Sequence, residues 1–389
     1  MRVAYICADP GVPVFGRKGC SIHVQEVIRA LNARAARVEL FASRVEGTPP
    51  SGLGDVRVHA LPDPRGSDPC ARERAALRAN APLRLALERT GPFDLVYERH
   101  SLWSVEGMRF ARDHAVAGLL EVNGPLIDEQ AEHRTLCDTA TASLTAKNAF
   151  AAAQTIVAVS KGAAAYVERF IGTTDKLHVM PNGVDPTRFP DAPAPRRRGN
   201  DDSFTVGFVG SLKPWHGLPT LIDAFARLHA EDARARLLIV GDGPERARLD
   251  EGLAALALSN ATRFTGAVPP DRVPLLLASM DAAVAPYSAR PDFYFSPLKV
   301  LEYMAAWRPV VASRLGQLED LITDGETGLL CTPDDPGELA RHLRRLRDDG
   351  ELCRRLGSAA RAAVAARHTW QQAAARILCL TGLEVEARS

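Results

Sequence analysis

Lys299 and Glu302 stand three residues apart, just behind the dipeptide Ser296–Pro297, in the stretch DAAVAPYSARPDFYFSPLKVLEYMAAWRPVVAS that runs from Asp281 to Ser313. An apolar run, Ala282 to Ala285, stops at Pro286. A loop follows, a helix opens near Ser296–Pro297, and a second apolar run spans Pro309 to Ala312. That order reads as strand, loop, helix, strand. A helix opening in the crevice at the end of a parallel strand offers unpaired backbone N–H groups and the positive end of its dipole, which suits phosphate. Lys299 then lies about one turn in, and Glu302 about one turn farther along a similar face. A cation and an acid so placed can serve a diphosphate and a sugar hydroxyl. Taken alone, the same pattern also describes an ordinary βαβ unit with a capped surface helix.

Lysine is scarce in this chain: Lys18, Lys147, Lys161, Lys176, Lys213 and Lys299 are the only ones, and arginine far outnumbers them. Lys18, Lys213 and Lys299 all fall in candidate phosphate loops, where a compact ammonium meets a single oxygen better than a guanidinium fork does. Two more polar clusters close short strand-like runs: Glu98, Arg99 and His100 at the end of DLVYE, and Asn123 and Gly124 after GLLEV. Polar groups just beyond strand ends in an open α/β sheet point into its crevice.

The elements that must position these groups repeat one rhythm. Arg2 to Cys7 reads as a strand, Ala8 to Cys20 as a loop holding Gly11, Gly16 and Gly19, and Ser21 to Ala33 as a helix with Ile22, Val27, Ile28 and Leu31 on its buried side. No GxGxxG fingerprint is present, which argues against a nicotinamide or flavin site. Gly16 and Gly19 allow either close approach of a ligand to the backbone or a tight turn. Val38–Ala42 and Val56–Ala60 read as strands, and Ala71 to Arg89 as an Arg-bearing helix, a solvated face before an anion- or membrane-binding one. A long helix is expected over Glu129 to Ala153. After the turn PNGVD comes APAPRRRGNDDS, a linker by composition. The rhythm then restarts: Phe204 to Val209 ends in GSLKPWHG, Leu237 to Val240 in GDGPE, and Thr262 to Thr265 in GAV.

At 389 residues the chain exceeds one ordinary core, so two domains are expected. Hydrophobic residues at 46% and charged residues at 24% place it among soluble globular proteins, and the net charge of +1 gives no case for nucleic acid. Seven scattered cysteines without CxxC point to a reducing compartment and away from a zinc or disulfide framework. MRVAYICADP reads as a strand and not as a signal peptide, and no run is long enough to span a bilayer. The expected location is cytoplasmic.

With GSLKPWHG, GDGPE, FTGAV and SPLKVLEYMA in this order and spacing, the chain resembles the GT-B glycosyltransferases, and more narrowly their retaining family 4, which uses nucleotide-diphosphate sugars. YERHSLW and EVNGPL resemble segments of a subset of that group. The resemblance implies an α/β fold of two facing Rossmann-like domains with the donor cleft between them. Residues 1–190 would form the acceptor side, 191–203 the linker and 204–367 the nucleotide-sugar domain, with a C-terminal helix in 368–389 crossing back. It implies that Ser296, Pro297 and Leu298 hold the donor diphosphate on backbone N–H groups beside Lys299. Glu302, as the second glutamate of an E-x7-E signature, would bind the ribose, and Val268 would lie beside the base with Gly241 to Gly243 below. Gly19 would belong to the loop that closes on the diphosphate, with Gly16 also on the donor-binding side, while His100 and Asn123 would face acceptor or sugar.

The chain departs from the family pattern in two loops. Behind Gly210, where the family has Arg and then Lys, stand Ser211 and His216, so that Lys213 and a partly charged His216 would supply the missing charge. The first glutamate of the signature would fall at position 294, where Tyr294 stands, so that either Tyr294 or Asp292 would take that glutamate's place. The implied activity is transfer of a sugar from a UDP- or GDP-sugar to an acceptor hydroxyl with retention. No metal would be needed, and the sequence has no D-x-D pair. The acceptor would be a small molecule, a saccharide or a lipid-linked species, with peripheral membrane contact admitted. The alternatives are a sugar-nucleotide hydrolase or 2-epimerase of similar architecture and a non-catalytic sugar-nucleotide-binding protein.

Overall fold

Short apolar runs, buried on both faces in the inner strands, build two parallel sheets in the computed structural model, which describes residues 1–64, 66–189, 203–290 and 292–384. The first sheet holds β1 (Arg2–Cys7), β2 (Arg37–Ala42), β3 (Arg57–Ala60), β4 (Leu95–Arg99), β5 (Ala117–Val122), β6 (Thr155–Ala158) and β7 (Leu177–Val179). The second holds β8 (Thr205–Val209), β9 (Arg236–Val240), β10 (Thr262–Phe264), β11 (Ala282–Ala285), β12 (Val310–Ser313) and β13 (Leu329–Cys331). Their orders are β3-β2-β1-β4-β5-β6-β7 and β10-β9-β8-β11-β12-β13. In each, the chain winds outward from one strand and then returns to its other side, between β1 and β4 in the first sheet and between β8 and β11 in the second. In open α/β sheets the carboxyl ends at such a reversal border the ligand crevice. The candidate groups His100, Asn123, Ser211 and Lys213 follow such strand ends.

The chain divides into two compact units. One comprises Met1–Asn182, Tyr294–Ser296 and the segment from Trp370 onward; the other comprises Gly183–Phe293 and Pro297–Thr369. Helix Trp370–Leu380 belongs to the first unit, where it packs on helix Gly19–Asn32. Residues 183–189, ahead of the expected linker, belong to the second unit: Val184 bridges Thr369, and Arg361 donates to the Pro186 carbonyl. The expected linker 191–203 lies, except for Ser203, outside the described residues. Each unit has its own core, with Phe41, Phe93, Phe110 and Phe150 in the first and Phe208, Phe225, Leu221 and Leu343 in the second. Among the described residues, no helix is long and apolar enough to cross a membrane.

Three expectations need correction. The single helix over Ala71 to Arg89 is two, Pro69–Arg78 and Asn80–Thr90. At the break, the Asn80 amide nitrogen donates to the carbonyls of Leu77 and Trp103, while its oxygen accepts from the N–H groups of Val105 and Glu106. The long helix over Glu129 to Ala153 is likewise two, Leu126–His133 and Thr139–Ala152, the second capped by Asp138. The Glu73 carboxylate accepts from the N–H groups of Cys137 and Asp138 in that break. Finally, the cysteines are not all free: Cys70 and Cys137, 67 residues apart in sequence, form a disulfide at the same point. Spacing hid the pair because only the packing of two helix starts brings it together.

Candidate functional site

Beyond β8, β9 and β10 of the second unit, three glycine loops stack backbone on backbone. The N–H of Gly210 donates to the Val240 carbonyl, that of Gly241 to the Gly266 carbonyl, and that of Leu212 to the Asp242 carbonyl. Gly241 has φ of 139°, and a Cβ there would stand 2.0 Å from the Gly210 carbonyl oxygen, so no other residue fits. Gly243 lies in the same stack against Leu212. Val268 follows, half-buried, in the loop beyond β10.

Across from this stack, helix Leu298–Ala305 opens behind Pro297 with no side-chain cap on its first turn. The expected opening at Ser296 shifts by two residues, because the Ser296 hydroxyl and carbonyl oxygens instead accept from the backbone and side-chain N–H groups of Asn182. Lys299 runs from this helix toward Gly210, where a Cβ would stand 2.9 Å from its Nζ. The ammonium lies 4.4 Å from the centre of the Phe208 ring and 5.0 Å from that of Tyr287. Although Lys299 as a residue is half-buried, its Nζ is closed off from solvent and has no hydrogen-bond acceptor among the described residues. Burial pulls its pKa down to about 7, against a smaller opposing pull from Glu302. Such an ammonium is satisfied only by aromatic faces, an incomplete set of partners for a buried charge.

The other residues expected here divide. Lys213 is half-buried, 5.7 Å from the centre of the Trp215 indole. Ser211 is exposed, and its carbonyl is taken by His216 Nδ1 at 2.6 Å. A carbonyl only accepts, so Nδ1 carries the proton. Burial first, and Lys299 next, drive the His216 pKa down to about 2. The expected partial charge on His216 is therefore corrected: the ring is neutral and ties down its own loop. Glu302 faces Arg188, with 3.7 Å between Nη1 and a carboxylate oxygen. Arg188 was not legible as a site residue, because its partner lies on a helix far along the chain.

Tyr294, expected in the donor pocket, is buried with the first unit. Its carbonyl accepts from the Ser160 hydroxyl at 2.5 Å, and its ring lies against Gly124, where a Cβ would come within 3.0 Å of it. Asp292 is exposed.

At the ends of β4 and β5 in the first unit, Glu121 anchors a buried polar cluster. Its carboxylate accepts from His23 Nε2 at 2.9 Å, from the Asn123 amide at 2.6 Å and from the Tyr97 hydroxyl, with Arg99 Nη1 at 3.6 Å. Arg99 also donates to His23 Nδ1 at 3.4 Å, and the His23 ring meets Trp370 edge-on. Burial works to raise the Glu121 pKa, but His23, Arg99 and Tyr97 together hold it down to about 2. Asn123 is thus fixed by its amide nitrogen. His100 is 4% exposed, packed 5.0 Å from the Phe150 ring centre, and neither ring nitrogen has a hydrogen-bond partner among the described residues. Burial, then Arg99, lowers its pKa to about 4, so the ring is neutral and shielded from solvent. Gly16 makes a turn, donating to the Pro13 carbonyl and accepting from Gln25, while Gly19 begins its helix on the surface. Glu121, His23 and Arg99 were missed as a group because they come from three separate elements.

Comparison with known proteins gives these features a context. Residues 203–349 match the family model described as glycosyl transferases group 1, and residues 17–188 match glycosyltransferase family 4. The chain is 28% identical to the D-inositol 3-phosphate glycosyltransferase of Stackebrandtia nassauensis, over 95% of this chain and 88% of that protein. It is 31% identical to the 2-deoxystreptamine glucosyltransferase of Streptomyces kanamyceticus, over 50% of this chain and 49% of that one; the alignments thus span about half the length of the first curated relatives. Sucrose-phosphate synthase from Thermosynechococcus elongatus superposes with a TM-score of 0.77 at 22% identity, covering 97% of each chain. Anabaena HepE in complex with UDP does so with a TM-score of 0.73 at 21% identity, covering 97% of this chain and 99% of that one. These structural likenesses establish the GT-B fold.

Proposed function

Because the chain belongs to the GT-B glycosyltransferases, with its two halves matching group 1 and family 4, we propose that it moves a sugar from a nucleotide-diphosphate sugar to an acceptor hydroxyl with retention at the anomeric carbon. The observation that carries this reading is the Lys299 ammonium, buried, without an acceptor among the described residues and facing the Gly210 loop. A diphosphate completes it. The uncapped helix start at Pro297–Leu298 adds backbone N–H groups, and Lys213 a second cation. Solved structures of HepE with UDP and with UDP-glucose support a donor of that class.

In this mechanism the acceptor oxygen attacks the anomeric carbon from the face that the diphosphate leaves. The bond from that carbon to the phosphate oxygen breaks as the new C–O bond forms, and the hydroxyl proton passes to the departing phosphate. Positioning and stabilisation of leaving-group charge then supply the acceleration, with no carboxylate base and no metal required. Two relatives are named for cyclic polyol acceptors, D-inositol 3-phosphate and 2-deoxystreptamine, and an acceptor of that kind is the first to test. The cytoplasm remains the proposed location, with the Cys70–Cys137 bridge as the feature that speaks against it.

A thermal-shift panel of UDP, GDP, dTDP and ADP sugars, followed by product analysis in chelator, tests the reading. One donor should stabilise the protein by roughly 2.7 kcal/mol at a hundred times its Kd, and should be consumed on addition of a cyclic polyol, giving product with the donor's anomeric configuration. Inverted product, or strict dependence on added divalent cation, overturns the mechanism.

A further inference from the structure

The segment Gly183–Phe189 brings one side chain, Arg188, to two parts of the second unit at once. Its Nη2 donates to the Pro270 carbonyl at 3.1 Å, and its Nη1 lies 3.7 Å from the Glu302 carboxylate. Pro270 stands two residues beyond Val268 in the loop after β10, and Glu302 sits on helix Leu298–Ala305. The segment is itself anchored: Val184 bridges Thr369, and Arg361 donates to the Pro186 carbonyl. The Arg188 and Glu302 side chains are 23% and 19% exposed, neither interred in a core nor loose on the surface.

We infer that Arg188 is a specificity-determining positioning residue. It ties the loop that carries Val268 to Glu302 and holds that carboxylate for the ribose hydroxyls of a ribonucleoside diphosphate donor. This rests on the proposal that the site takes a nucleotide-sugar donor. At 3.7 Å the contact is longer than a hydrogen bond, so Arg188 orients the carboxylate by charge and does not engage it as a bidentate fork would. Its mooring to the Pro270 carbonyl needs a second donor on the same group. A guanidinium supplies that; a lysine ammonium on a flexible stem does not hold both ends in one geometry.

Calorimetric titration of the full chain with UDP and with 2′,3′-dideoxy-UDP (or the matching guanosine pair, if uridine does not bind) provides the test. The wild type should prefer the ribonucleotide by about tenfold, the worth of hydrogen bonds to a charged group. Arg188→Gln should shrink that preference to about two- to threefold, with Arg188→Lys between. Equal weakening of both nucleotides with the preference intact marks a merely structural role and overturns the inference. So does loss of folding in both variants. A wild type that binds both nucleotides equally also overturns it, while leaving the donor reading standing; a wild type that binds no nucleoside diphosphate removes the donor reading itself.

Discussion

The crevice ends of the two sheets hold buried charges in opposite conditions. Glu121, at the end of β5, is surrounded by His23, Asn123, Tyr97 and Arg99. Lys299, facing the loop after β8, has two aromatic rings and, among the described residues, no acceptor. The surroundings act on the two groups accordingly: Glu121 is held ionised, at about 2, whereas the Lys299 ammonium is discouraged, at about 7. A buried charge whose partners are all supplied by the protein is part of the fold. One whose partners are missing costs stability, and a ligand of opposite charge is what offsets that cost.

The largest effect should come from breaking the satisfied side. Glu121→Ala leaves the Arg99 guanidinium without its carboxylate and should cost roughly 3–5 kcal/mol, read by urea unfolding. Glu121→Gln, which keeps the shape and one acceptor oxygen, should cost less. The pH signature follows from the direction of the shift. With the folded pKa depressed below the ordinary carboxylate value, the contribution of Glu121 is fully present above about pH 4.5 and is lost as pH falls toward about 2. The difference between wild-type and Glu121→Gln stability should therefore close across that acid window, and a difference that stays constant there would show that charge is not what Glu121 contributes.

The unsatisfied side should behave in reverse. Lys299→Met should lower kcat/KM by about 10²–10³, as for loss of one group that stabilises leaving-group charge, while leaving the melting temperature equal or higher. Removal of a desolvated amine relieves the fold. Because the folded pKa of Lys299 is lowered, the unfolded chain binds the extra proton between about pH 7 and the ordinary lysine value, so this residue makes the free protein more stable as pH rises through that range. Donor affinity should move the opposite way. A diphosphate binds the protonated form, so above pH 7 binding takes up a proton and weakens by up to tenfold per pH unit. Calorimetry in buffers of different ionisation enthalpy would register that proton; its absence above pH 8 would separate Lys299 from the donor.

The contrast also marks what the sequence made readable. The strands were legible as apolar runs closed by Gly, Pro or charge, and so were the loops that follow them, because those signals are local. Lys299 was legible from its place behind Ser296–Pro297. Its isolation was not, since that depends on Phe208 and Tyr287, which come from two other elements. The helix breaks at Ala79 and before Thr139 were hidden because Asn80 and Glu73 decide them by reaching other segments. The same holds for Arg188 against Glu302 and for Cys70 against Cys137: residue type was visible, partnership was not.

The smallest expected effect is an absence of change, and it bears on where positive charge in the second unit comes from. His216 donates from Nδ1 to the Ser211 carbonyl, with the rings of Phe208 and Tyr287 packed around it and the Lys299 and Lys213 cations disfavouring a second proton. An ordinary histidine would titrate near pH ~6.5. Here the ¹⁵N shifts of His216 should stay those of a neutral ring protonated at Nδ1 from pH 5 to 8. His216→Asn, whose amide can still donate to Ser211, should leave the shape of the kcat/KM profile over that range unaltered. A His216 midpoint between pH 6 and 7 would mean that the ring shares the charge on the diphosphate. Without one, that charge falls to Lys299 and Lys213, and the loss caused by Lys299→Met should then be no smaller at pH 6 than at pH 7.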